Sequence, residues 1–118
     1  MTDRLTLWID AYVRAWNSND RADIEALFTP GAVYRHAPFE AGWKGRATIV
    51  RRWLARRDEP GETSFTWQPV SVGDDLAVVQ GTTTYPDRTY SNLWVIRFAG
   101  DRCAEFTEWW MQHPVHKG

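Results

Sequence analysis

Cysteine is nearly missing from this chain, and neither sign of charge is in excess. A single Cys, Cys103, stands among 118 residues. That excludes an internal disulfide framework and fits a reducing compartment. The net charge of −1 lacks the basic footprint of a nucleic-acid or membrane-surface protein. No apolar run approaches the roughly 18 residues of a membrane span. Met1 to Leu7 is polar and already helical in pattern, unlike a secretory leader. Histidine is scarce too, with 3 in all. His36, His113 and His116 do not fall at the ligand spacing of a known metal site, so neither metal nor cofactor is expected. Linkers, repeats and low-complexity stretches are also missing. The expectation is one cytoplasmic domain without nucleic-acid or membrane partners.

What the chain does have is tryptophan, 8 of them, more than core packing alone requires. Trp is favoured where a large apolar wall also needs a hydrogen-bond donor. Leu5, Trp8, Ile9, Tyr12, Val13 and Trp16 fall at helical spacing and predict a first helix from about Asp3 to Trp16. Asn17 to Asn19 stop it. Asp20 suits the N-cap of a second helix, with Ile24, Leu27 and Phe28 facing inward, and Pro30-Gly31 breaks it. Ala32 to His36 reads as a strand ended by Pro38, and Phe39 to Trp43 as a loop that could form a lid. A third helix starts near Gly45 and runs to about Arg57, burying Ile49, Val50, Trp53 and Leu54. Its cluster Arg46, Arg51, Arg52, Arg56 and Arg57 reads as a solvated face.

Four strands follow, at Thr63–Val72, Leu76–Tyr85, Thr89–Phe98 and Arg102–Met111. Gly73-Asp74-Asp75, Pro86-Asp87-Arg88 and Ala99-Gly100-Asp101 supply the turns. Helices first and then an antiparallel meander is an α+β pattern. Three helices in the N-terminal half against a long, curved sheet predict a cone-shaped pocket.

Residues two apart on a strand share a face. Tyr34 therefore goes with His36, Asn92 with Trp94 and Ile96, and Phe106 with Glu108 and Trp110. If the tryptophans face the cavity, the result is an aromatic surface carrying a few polar groups, as in small-molecule sites. His36, Tyr12 and Glu108 are the candidate catalytic residues. Trp16, Tyr34, Trp43, Trp53, Asn92, Trp94, Phe106 and Trp110 are candidates for substrate binding. Each has a plainer reading: His36 as a neutral buried imidazole, Tyr12 as core, Glu108 as an ion-paired or exposed carboxylate. His36 and Glu108 within hydrogen-bond reach would resemble a base and its orienter. The facing of Leu76–Tyr85 stays open.

Several stretches carry a family resemblance: Tyr12-Val13-Arg14-Ala15-Trp16-Asn17, Asp23-Ile24-Glu25-Ala26-Leu27-Phe28, Gly31-Ala32-Val33-Tyr34-Arg35-His36 and Gly42-Trp43-Lys44-Gly45-Arg46. Leu93-Trp94-Val95-Ile96-Arg97-Phe98 and Phe106-Thr107-Glu108-Trp109-Trp110 add to them. Together they resemble the nuclear transport factor 2-like (NTF2-like) superfamily, in its SnoaL-like and ketosteroid isomerase-like branch. The resemblance implies a cystatin-like half-barrel, a mixed or antiparallel curved sheet around three helices, spanning 1–118 as one SnoaL-like domain. Ketosteroid isomerases end the first strand on a proton-moving Asp, where this chain has His36. Their oxyanion-donating Tyr on the first helix corresponds to Tyr12. Their protonated Asp on a later strand corresponds to Trp94, and a pocket Trp late in the last strand to Trp110. The Asp-Arg-Asp set of limonene-epoxide hydrolases has no equivalent.

The resemblance thus implies a hydrophobic pocket for a small apolar or aromatic metabolite. A cofactor-independent isomerase, cyclase or dehydratase acting on a carbonyl compound is one expectation. A non-catalytic binding or interaction domain is the alternative. Too few helices exist to cover both sheet faces, and an outer face carrying Leu93, Val95 and Phe65 predicts a homodimer through the sheet, as the family also implies.

Overall fold

The computed structural model describes residues 3–37, 39–56 and 63–114. Met1, Pro38, Arg57 and His116, named above, lie outside the described residues. Helix α1 spans Arg4–Ser18 and is capped by Asp3, whose carboxylate accepts the Thr6 N–H at 2.7 Å. It buries Leu5, Trp8, Ile9, Tyr12 and Ala15 and ends at Asn19 in the left-handed region, φ 51°. Helix α2 spans Arg21–Glu25 behind the Asp20 cap. Strand β1 spans Phe28–Arg35, β2 Trp43–Lys44, and α3 Arg46–Ala55.

Two expectations need correction here. Pro30-Gly31 does not break a helix. The second helix stops at Glu25, and Phe28, Thr29, Pro30 and Gly31 already belong to β1. Phe28 pairs with Cys103, Val33 with Glu105, and the register shifts between Phe28 and Val33. Such an irregularity tolerates a proline that cannot donate to the ladder. Nor is Phe39 to Trp43 all loop, since Trp43 pairs antiparallel with Tyr34. Gly42 permits this at φ 82°, where an added Cβ would come within 2.6 Å of the Tyr34 carbonyl oxygen. His36 falls just beyond β1, in a bend.

Strands β3 Ser64–Val72, β4 Leu76–Thr84, β5 Thr89–Ala99 and β6 Arg102–Gln112 form the antiparallel meander. The sheet is six-stranded and mixed, in the order β2-β1-β6-β5-β4-β3, with β1 parallel to β6. This is the curved α+β architecture expected. The concave face holds the core: Trp8 and Tyr12 of α1 meet Phe106 at 5.9 and 5.7 Å between ring centroids, and Tyr12 meets Trp94 at 4.7 Å. Trp8 donates its indole N–H to the Leu27 carbonyl at 2.9 Å, so a buried polar group is satisfied.

Register settles which residues face in. Ala77, Val79, Gly81 and Thr83 of β4 are buried on the concave side, while Val78 and Gln80 face out. Phe65 was expected on the outer face but lies inside. It pairs with inward-facing Thr83 and stacks on Trp94 at 4.6 Å. Outside are Leu93 and Val95, together with Trp109 and Met111, which are 39% and 72% exposed.

Candidate functional site

A cavity of about 290 Å³ opens between the helices and the concave sheet. Tyr12 and Trp16 of α1 wall one side, and Trp53 and Arg56 at the end of α3 wall another. Tyr34, His36 and Trp43 come from the β1–β2 region. The sheet contributes Thr83, Tyr90, Asn92, Glu108 and Trp110, and the β4–β5 turn contributes Tyr85 and Arg88. The site is therefore assembled from nearly every element.

Glu108 is its chemical centre. It stands opposite Trp94 on neighbouring strands, and the indole Nε1–H donates to its Oε2 at 2.8 Å. Burial pushes the Glu108 carboxyl up from 4.5 to about 7, and the Trp94 hydrogen bond opposes this only in part. The group is thus divided between acid and carboxylate near neutrality, the condition for general acid–base work.

A phenol pair lies in the same cavity. The hydroxyls of Tyr12 and Tyr34 are 2.8 Å apart. Burial raises Tyr34 well above its ordinary value, and negative charge on Tyr12 or Glu108 would raise it further. Tyr34 therefore keeps its proton, and the hydroxyl pair can serve as hydrogen-bond donor. Thr83 donates to the side-chain oxygen of Asn92 at 2.6 Å, fixing a second polar patch.

His36 sits at the edge. Its ring is 4.4 Å from that of Trp43, edge-on, and 5.0 Å from that of Tyr34. Burial lowers its pKa, Glu40 opposes that, and Arg56 adds to it. A neutral imidazole at pH 7 follows. Among the described hydrogen bonds none joins His36 to Glu108, so the two do not form a base and its orienter.

The structure gathers Tyr12, Trp16, Tyr34, His36, Trp43, Trp53, Asn92, Glu108 and Trp110 around one space. Trp94 and Phe106 lie one layer beneath it rather than on the wall. Both are fully buried, in mutual contact at 5.2 Å, because the rings of Tyr12 and Phe65 cover them. Trp94 reaches the site only through its N–H. Sequence reasoning missed Thr83, Tyr85, Arg88 and Tyr90, and assigned Arg56 to a solvated face. Alternation along β4 could have offered Thr83 once its facing was known. Nothing local marks the turn residues. Among the described residues, no three His, Cys, Asp or Glu side chains gather as metal ligands would.

The SnoaL-like domain family matches residues 9–106. The chain belongs to that family. A search of curated proteins found no match. Solved structures share the SnoaL-like protein's fold at low identity. An NTF2-like protein of unknown function from Burkholderia xenovorans superposes with TM-score 0.75 at 12% identity, covering 98% of this chain and 88% of that one. A steroid delta-isomerase from Pseudomonas aeruginosa gives 0.64 at 15%, covering 94% and 82%. A candidate polyketide cyclase from Sinorhizobium meliloti gives 0.65 at 20%, covering 92% and 100%. At such identities these likenesses speak for the fold alone. No helix among the described residues is long and apolar enough to cross a membrane.

Proposed function

We propose that this SnoaL-like protein is a cofactor-independent enzyme that moves a proton on a small, ring-bearing carbonyl compound. The observation that carries this reading is Glu108, held at about 7 inside an aromatic cavity. As carboxylate it removes a proton from the carbon next to the carbonyl. The electron pair moves onto the carbonyl oxygen, which the Tyr12–Tyr34 hydroxyls stabilise by hydrogen bonding. As carboxylic acid it returns the proton, to another carbon in an isomerisation or to a leaving oxygen in a dehydration. His36, neutral and at the edge, orients the ligand. Trp16, Trp43, Trp53 and Trp110 form the wall and Asn92 a polar contact. The names borne by the isomerase and cyclase structures above are compatible with this chemistry.

The test is proton exchange. Ring-bearing ketones in deuterated buffer lose their α-proton NMR signal as the base acts. Wild type should accelerate this, with a rate rising through about pH 7. Glu108→Gln should lower it by about 10²-fold or more, and His36→Gln by far less. Binding without any acceleration would instead support a non-catalytic pocket.

We also propose a homodimer through the convex sheet face. Its centre, with Val78, Gln80, Leu93, Val95, Trp109 and Met111, carries no charged side chain and has no helix over it.

A further inference from the structure

The mouth of the cavity carries charge that proton transfer does not use. Arg56 closes α3, Arg88 lies in the β4–β5 turn, and both line the cavity. Arg88 is held in place from three sides. It pairs with Asp87 at 2.7 Å, donates from Nε to the Tyr90 hydroxyl at 3.0 Å, and lies 4.3 Å over the Tyr85 ring. Arg56 differs: it makes no ion pair with a described residue, and its guanidinium stands 5.9 Å from the Trp43 ring. Glu40, near His36, and Asp87 offset part of this positive charge. Of the lining residues Glu108 alone is a carboxylate, and it belongs to the inner wall. The cavity wall thus carries two guanidiniums at its mouth, one of them shared with Asp87, and a carboxyl within.

We infer that the ligand is an aromatic or alicyclic keto acid whose carboxylate sits at the mouth between Arg56 and Arg88 and whose ketone reaches the Tyr12–Tyr34 pair. This rests on the proton-transfer reading and adds the substrate class to it. Guanidinium forks match a carboxylate in geometry as well as charge. The opposite orientation would set two carboxylates together at Glu108, which like charge disfavours. A cavity of about 290 Å³ lies at the small end for ligand sites and suits one ring with a short chain.

Two probe pairs isolate the charge: β-benzoylpropionate with its methyl ester, and oxocyclohexylacetate with its methyl ester. Tryptophan fluorescence titration reads affinity for each. Wild type at low salt should bind the acid of at least one pair about tenfold more tightly than its ester. That ratio should shrink at high salt and approach one in the double variant Arg56→Gln/Arg88→Gln. A ratio near one in wild type, a ratio that survives in the double variant, or no binding by either pair overturns the inference. Esters that exchange their α-proton in a Glu108-dependent manner without any preference for the acid would sink the keto-acid assignment and leave the proton-transfer reading standing. A charge preference with no exchange on acid or ester would do the reverse.

Discussion

A carboxyl group that meets one indole N–H inside an aromatic wall keeps its proton to higher pH than one in water. For Glu108 the consequence reaches stability as well as reactivity. Its folded value, about 7, lies above the ordinary 4.5. Between those values the native state binds more protons than the unfolded chain, so stability falls as pH rises through that window and levels off above it. A shift of this size corresponds to about 3 kcal/mol at most. Gln at 108 stays neutral and keeps an oxygen for Trp94. Relative to wild type, Glu108→Gln should therefore melt several degrees higher at pH 8 than it does at pH 5. An equal difference at both pH values would mean that Glu108 is ionised in the fold. Trp94→Phe is the complementary change. It removes the N–H donor that favours the charged form, so the inflection of the exchange rate should move above 7, and a downward move would contradict this account. Strand alternation placed Glu108 on the same face as Phe106 and Trp110 from sequence alone. It could not supply the pKa, because that depends on which distant rings close over the carboxyl.

Strand β4 shows why some of the sheet was hidden. Gly81 faces the core, and a Cβ there would come within 2.5 Å of the Phe65 ring and 3.2 Å of the Thr66 carbonyl. The missing side chain lets Phe65 lie across β4 and stack on Trp94, which floors the site. Gly81→Val should cost about 1–3 kcal/mol in chemical denaturation, and a second change, Phe65→Ala, should recover part of that cost. If the double variant is no better than the two losses added, the clash is not the cause. The same residues explain what could be read in advance. Helix α1 announced itself by its apolar spacing and the meander by its turns. The facing of β4 did not, since Gln80, Gly81, Thr82 and Thr83 give no clean apolar alternation. The start of β1 was concealed by Pro30-Gly31, residues that usually end an element but here sit at a shift of register. Arg88 and Tyr85 reach the cavity through the curl of the sheet, a long-range property that no local pattern carries.

The curl also divides the protein into two unequal faces. The three helices and the aromatic core occupy the concave side, and no described helix covers the convex one, where Ala37 and Phe39 border the patch of Leu93, Trp109 and Met111. Trp109 and Met111 there alternate with Glu108 and Trp110, so one strand serves the cavity with one face and the exterior with the other. A face whose centre is uncharged and largely apolar can bury itself against its own copy, and a stable pair needs roughly 800 Å² from each partner. The double variant Trp109→Glu/Met111→Lys should sediment as a monomer where wild type sediments as a dimer. Because these side chains point away from Glu108, the variant should keep the fluorescence change near pH 7 that reports Glu108 ionising beside Trp94. Loss of that change along with the dimer would mean that the convex face helps to hold the cavity in shape, and a wild type already monomeric at micromolar concentration would end the dimer proposal.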